Sequence, residues 1–524
     1  MDRWPLNRRT MIKLTGGTAI AALAASTAGK AFAQEASPNA SPGAAPAAAS
    51  GTLVIGKAQE AVGFDPAVIT ASSSFDLIAV LYDSLVVFDD NGQPQPSLAE
   101  SWDMPDDRTY IFKLRQGVTF HNGQPLTAAD VKFTFDRIKD PATASPWASQ
   151  FEPVASIEAT DASTVTFKMN KPYGPFLATL SASLASILPK TKTPIDFQTT
   201  AVGTGPFMWG TYTKDTETVL NAYPKYWESG LPRLASLDYK ILPEDSSRLA
   251  AVRTGEIQLT TLIDPISVEA AAKSDGVQTL TQDTTDYYLL GLNCAKAPFD
   301  NPKVRQALSL AIDRQAIIDA VFFGQGKVSG PIVPTLGDWA QPLDKVPNYT
   351  VDTDQAKALL AEAGQSNLSF KIVVGSLTAD FQNIALVIQD QLKKIGVTAD
   401  LDQVEWGTFI ERWKAHEFES FVSYNGSGND PDRALYPTFH TSGSTNVFSF
   451  TDPAVDKLLD EGRATADAET RKATYQKIET AIAEQAPVIF INTRVASFAL
   501  RDTVKGFAPS TSQTWETLQD TTVS

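Results

Sequence analysis

The chain has 524 residues, 43% of them hydrophobic and 20% charged; this is more than one compact core ordinarily serves, so two or more lobes are expected. Its 44 Lys and Arg against 60 Asp and Glu leave a net charge of -16, which excludes the basic footprint of a nucleic-acid or anionic-lipid binder. The single cysteine, Cys294, excludes an internal disulfide, a CxxC redox pair and a multi-cysteine zinc site, and reads as a small buried apolar residue.

Residues 1–33 read as an address. Arg8 and Arg9, followed by Thr10, Met11, Ile12 and Lys13, resemble a twin-arginine export motif. The weakly apolar stretch Leu14 to Ala28 is too short and too mildly hydrophobic for a permanent span, and Ala31-Phe32-Ala33 forms a small-x-small site, so cleavage is expected after Ala33. No cysteine lies near that site, so a lipid anchor is not expected, and the exported protein is expected in the periplasm or otherwise outside the cytoplasm. Residues 34–50 are almost entirely Ala, Ser, Pro and Gly; that composition cannot offset the entropy of ordering and predicts a disordered leader.

From Gly51 onward the two hydrophobic periods alternate. Tyr110, Phe112 and Leu114 interleave with polar neighbours, as do Val165, Phe167 and Met169, and both segments are predicted as half-buried strands. Asp106-Asp107 ahead of the first is a hairpin turn. Thr127 precedes a helix carrying Asp130 in its first turn and Val131, Phe135 and Ile138 on one face. Asn301-Pro302 opens a second helix with Val304, Ala307, Leu308 and Ala311 inward. Two more are predicted over Thr353 to Ala363 and Phe381 to Ile395, closed by Gly364 and Gly396. Mixed strands and helices without a fixed repeat indicate a large α/β chain.

A series of short landmarks then carries a family resemblance over nearly the whole mature chain. Gly63-Phe64-Asp65-Pro66, Leu81-Tyr82-Asp83-Ser84-Leu85, Pro96 to Trp102, Phe112 to Gly123, Gly203-Thr204-Gly205-Pro206-Phe207, Pro298 to Arg314 and Ala486 to Phe490 follow one another in the order and spacing of the extracellular solute-binding proteins of ABC importers, dipeptide/oligopeptide/nickel type (family 5), which the chain resembles. The resemblance implies a periplasmic-binding-protein-like α/β fold of two lobes with a ligand cleft and a hinge, the first lobe discontinuous and bearing an extra subdomain. Matching landmarks puts lobe I at 51–83, 201–290 and 490–524, the subdomain at 84–200 and lobe II at 291–489, with crossings near Leu289 to Asn293 and Gln485 to Asn492. It also implies a monomer that delivers a peptide or similar solute to an ABC permease and its ATPase.

The resemblance supplies candidate contacts as well. Glu60, Ala61 and Gly63 lie on the segment before the first landmark, Trp406 follows the turn Glu405-Trp406-Gly407, and Tyr424, Asn425, Ser427 and Asp430 belong to the polar loop before Asp430-Pro431-Asp432. Trp406 and Tyr424 are expected as apolar walls, with Asn425 and Ser427 as hydrogen-bond partners. The place of the peptide-amine carboxylate falls at Ser427 or Gly428, leaving Asp430 as the nearest acid, and no arginine stands in Val373 to Leu377 to clamp a peptide carboxylate. That departure favours a longer peptide, or a less charged solute such as an oligosaccharide, over a zwitterionic dipeptide. A sensory receptor with the same fold remains the alternative to transport.

Catalysis is not expected. His416-Glu417-Phe418-Glu419-Ser420 imitates a zinc-protease helix until Ser420 replaces the second ligand, no nucleophile elbow or phosphate loop occurs, and no cofactor or metal motif is present. His121, like the Gly-Thr-Gly-Pro turn, is read as structural, pinning a loop.

Overall fold

The computed structural model describes residues 49–89, 92–511 and 515–524. The expected signal peptide and nearly all of the leader lie outside these residues. Among the described residues no helix is long and apolar enough to cross a membrane.

The strands that organise the fold are, in chain order, β1 (Thr52–Lys57), β2 (Ala99–Asp106), β3 (Thr109–Leu114), β4 (Val154–Ala159), β5 (Thr164–Met169), β6 (Phe207–Thr213), β7 (Glu217–Ala222), β8 (Ser236–Ile241), β9 (Leu259–Leu262), β10 (Val277–Leu292), β11 (Ser369–Gly375), β12 (Thr398–Val404), β13 (Ser420–Gly426) and β14 (Val488–Arg501). Ten of them form one sheet in the order β12-β11-β13-β10-β14-β9-β1-β8-β7-β6, and β2-β3-β5-β4 form a separate four-stranded sheet. The ten-stranded sheet is shared between two lobes of a periplasmic-binding-protein-like α/β fold. The four-stranded sheet is the extra subdomain of the first.

β3 and β5 occupy the alternating segments read from the sequence, and their inward residues Tyr110, Phe112, Phe167 and Met169 join Val131, Phe135 and Phe176 in the subdomain's own core. The helix Ala128–Lys139 (α1) covers that core. Its start is held by the Asp130 carboxylate, which accepts from the Thr127 backbone N–H at 2.8 Å and from the Thr127 hydroxyl at 2.7 Å. Helices Pro302–Ala311 (α2), Thr353–Glu362 (α3) and Ala379–Lys393 (α4) fall where periodicity predicts, α4 starting two residues earlier because the first turn includes Ala379 and Asp380.

β10 and β14 are long because they pass from one lobe to the other. Val277 to Asp283 pair with Arg501 to Val495, whereas Asp286 to Leu292 pair with β13 on their other side. The register between β10 and β14 shifts between Asp283 and Tyr287; a β-bulge there bends the pair locally. This passage lies ahead of the crossing expected at Leu289 to Asn293, and beyond the one expected at Gln485 to Asn492 on β14. The reason is visible in the packing: Tyr287 and Leu289 enter one core and Tyr288, Leu290 and Leu292 the core on the opposite face. Burial on both faces makes the strand a continuous apolar run, so its polar stretch, and not its apolar start, marks the passage.

The Gly-Thr-Gly-Pro turn is tied back to the Leu-Tyr-Asp landmark. The Thr204 hydroxyl donates to Asp83 at 2.8 Å, and Trp227 Nε1 donates to the same oxygen at 3.1 Å. Burial pushes the Asp83 carboxyl up to about 6, against the pull of these donors.

Candidate ligand-binding cleft

Lobe II presents an aromatic wall. Glu405 caps the helix Trp406–Ala415 (α5), its carboxylate accepting from Gly407 N at 2.7 Å and Thr408 N at 3.3 Å. This cap sets Trp406 at the helix start, its ring stacked 4.9 Å from Phe409 and 6.2 Å from Phe381. Tyr424, near the end of β13, lies 6.1 Å from Phe381 and is 38% exposed. The sequence-predicted pair Trp406 and Tyr424 are thus joined through Phe381, a residue that reads as core from its helical spacing alone.

The polar loop after Tyr424 is more committed than its composition implies. Asn425 Oδ1 accepts from Gly426 N at 2.9 Å, and buried Ser427 donates its backbone N–H to Thr285 O at 3.0 Å. Asp430 caps the helix Pro431–Phe439 (α6), and both of its oxygens are held by Arg471 at 2.7 and 2.8 Å. Next to it Asp432 accepts from Tyr475 at 2.8 Å and pairs with Arg463 at 3.0 Å. Arg463 and Arg471 come from the helices Pro453–Arg463 (α7) and Ala468–Gln485 (α8). Burial works to lower the pKa of both guanidiniums, yet the two acids hold them above the ordinary level.

On lobe I, Glu60 accepts from the Asp215 backbone N–H at 2.9 Å, and Ala61 packs against that lobe's core. Gly63 lets Gln198 approach, since a Cβ there would stand 2.2 Å from its Oε1. Among the described residues no hydrogen bond, ion pair or ring contact joins Glu60, Ala61 or Gly63 to Trp406 or to the Tyr424–Asp430 loop. A different contact joins the first part of the chain to lobe II: Gly174 of the subdomain donates its N–H to Arg463 O at 2.8 Å, and Arg463 lies 5.3 Å from the Tyr173 ring.

Several groups beside the wall carry no sequence signature. Arg494, at the interlobe passage on β14, lies 4.1 Å over the Tyr424 ring and pairs with Asp286 at 3.1 Å. Tyr288 donates to Asp380 at 2.9 Å; burial raises the Asp380 carboxyl, and the Asp264 carboxylate of lobe I adds to the shift. Arg433, one residue after Asp432, is exposed. His416, the start of the zinc-protease imitation, is instead the left-handed end of α5, bonded to Ser449 at 2.9 Å. Among the described residues no group of His, Cys, Asp and Glu is arranged to hold a metal ion.

Two lobes joined by a pair of strands, with an aromatic wall and charged groups at the passage, define a two-lobed solute-binding receptor. The chain belongs to the bacterial extracellular solute-binding proteins of family 5, whose model, described as "family 5 Middle", matches residues 93–446. It is 33% identical over 500 residues to heme-binding protein A of Haemophilus influenzae, covering 88% of this chain and 90% of that one. Among solved structures, it resembles the binding protein DppA of Helicobacter pylori in complex with the peptide STSA, with a TM-score of 0.77, 29% identity, and 90% and 98% of the two chains covered. The binding protein AgaA of A. tumefaciens R10 in complex with agropinic acid gives a TM-score of 0.76 at 28% identity over 90% and 99%.

Proposed function

We propose that this protein is the substrate-binding component of an ABC importer, capturing a peptide or similar solute between its lobes and delivering it to the membrane permease. The observation that carries this reading is the Trp406–Phe381–Tyr424 wall standing beside the passage of β10 and β14. A solute lying on that wall and touching the other lobe binds the closed form better than the open one, so it shifts the population toward closure. Bending at the two passages then changes the surface offered to the permease.

The full commitment of Asp430 to Arg471 supports the part of the reading that sets a zwitterionic dipeptide aside, because no free carboxylate remains in the loop to meet a peptide amine. Of the relatives named above, one is a heme-binding protein and two were solved in complex with a peptide and with agropinic acid, so a non-peptide solute is the second reading. Native mass spectrometry of the purified mature protein tests the proposal. It should carry a solute of discrete mass that is released chemically unchanged, and deleting the gene should abolish uptake of that solute. A turned-over product, or uptake that survives deletion, would refute it.

A further inference from the structure

The polar loop is flanked by a cation whose side chain has no hydrogen bond or ion pair among the described residues. Asp430 and Asp432 are consumed by Arg471 and Arg463, but the side chain of Arg433, next in sequence, has no hydrogen bond or ion pair with any described residue; only its backbone N–H is engaged, donating to Asp430 O at 3.1 Å. Its side chain lies over the polar loop: Gly428 has φ +64°, and a Cβ there would stand 2.6 Å from Arg433 Cδ and 3.3 Å from Nη1. A residue with a side chain at 428 would therefore displace the guanidinium from its place.

The surroundings favour an anion from outside. On the far side of the loop Asp286 is already bonded to Arg494, whose guanidinium rests on Tyr424. The groups that act on Arg433 electrostatically are Tyr173 of the subdomain and Asp286, one neutral at ordinary pH and the other shared. Asp286 is shared between the two guanidiniums, and the other carboxylate near them, Asp380, acts on Arg494 and is bonded to Tyr288, so Arg433 has no carboxylate of its own among the described residues. Solvent reaches Arg433 directly. Even so, the protein packed around it withdraws enough water to lower its pKa from the ordinary guanidinium value, as happens to a side chain lining a recess. An unpaired charge in such a place is costly, and an arriving anion removes the cost.

We propose that the captured solute carries a carboxylate and that Arg433 is its counter-ion, with Tyr424 and Trp406 taking the body of the molecule. The proposal rests on the solute-binding reading and names the chemistry of its ligand. A guanidinium fork matches the planar carboxylate in two parallel hydrogen bonds. Asp286 disfavours a dianionic phosphate at the same loop, because like charges so close repel.

The test begins with the solute released from the purified mature protein. One half is methyl-esterified, which neutralises carboxylates and spares phosphate-free polar groups, and both halves are titrated by calorimetry into ligand-free wild type, Arg433→Gln and Arg433→Lys. In wild type the ester should bind at least roughly 30-fold more weakly than the acid, Arg433→Gln should lose a similar factor for the acid, and the two losses should not add. Arg433→Lys should fall between, keeping the charge without the fork. Equal binding of acid and ester, unchanged affinity in Arg433→Gln, or a solute with phosphate and no carboxylate would overturn the proposal while leaving solute capture intact. A protein that releases no solute and binds none from a cell extract would overturn both. Because the Arg433 side chain makes no hydrogen bond or ion pair with any described residue, a folded variant is expected, and its unfolding curve checks this.

Discussion

Within four residues, 430 to 433, the chain treats charge in two opposite ways. Asp430 and Asp432 turn into lobe II, where side chains from α7 and α8 neutralise them, and both are buried. Arg433 keeps an exposed side chain against Gly428 of the loop, with no side-chain hydrogen bond or ion pair among the described residues. The first arrangement is structural: carboxylates capping and crossing helices, with a geometry that only paired charges tolerate inside protein. The second keeps a charge available. The difference teaches which residues of a landmark to alter when asking about fold and which when asking about ligand, although they are neighbours in sequence.

The largest effect should come from breaking the structural half. Arg471→Met leaves Asp430 buried without its two hydrogen bonds, and urea unfolding should show a loss of about 3–5 kcal/mol. Adding Asp430→Leu removes the orphaned charge, so the double variant should recover part of that loss. Arg433→Met, by contrast, should stay within about 0.5 kcal/mol of wild type. Equal losses in Arg471→Met and Arg433→Met would erase the distinction between the two halves.

The sequence reading reached the loop but not this division. Caps and periods are local, so β3, β5 and α1 to α4 were legible from Tyr110, Phe167, Thr127 and their neighbours. The Glu405 cap that aims Trp406 was not, since Glu405-Trp406-Gly407 read only as a turn carried by the family resemblance. The partners of Asp430 lie 41 residues away on another helix, and Arg494 reaches Tyr424 from β14; no periodicity records which remote side chain a loop will meet. Position 430 therefore read as a candidate contact because its type and place suited one, whereas Arg471 reads as one more charge on a solvated helix. The register shift between Asp283 and Tyr287 went unread for a related reason, since Tyr287 to Leu292 are buried on both faces and hide the bulge before them.

On the cleft side the comparison can be sharpened with apolar surface in place of charge. Trp406 packs on Phe409 and Phe381 and is half-buried. Trp406→Ala should weaken solute binding by about 2–4 kcal/mol if it is an anchoring residue, measured by calorimetry on protein shown to be folded. Trp406→Phe should lose less, because much of the apolar face remains. Affinity that survives Trp406→Ala would make the wall a core face like that of Phe439, and move the solute toward the lobe I segment at Glu60 to Gly63.

His121 adds a third way of handling an ionisable group, which is to keep it neutral. Its Nδ1 accepts from Gly203 N–H at 3.2 Å, so the proton sits on Nε2 and donates to Gly205 O at 3.0 Å. A second proton would face the Gly203 N–H, and burial already draws the pKa down to about 4 from its usual 6.5. The sign follows from linkage: the unfolded chain takes up a proton near its ordinary pKa while the folded one refuses it until about pH 4. The contribution to stability is therefore whole above the unfolded pKa, and falls away as pH drops toward the folded one. By pH 4 that loss should reach on the order of 2–3 kcal/mol, and His121→Gln should flatten the acid limb of the stability curve by this amount. Titration of the three imidazoles by NMR checks the same point, with one ring expected to stay neutral through pH 5; a His121 ring titrating near 6.5 would mean that the Gly203–Gly205 turn is held by other bonds.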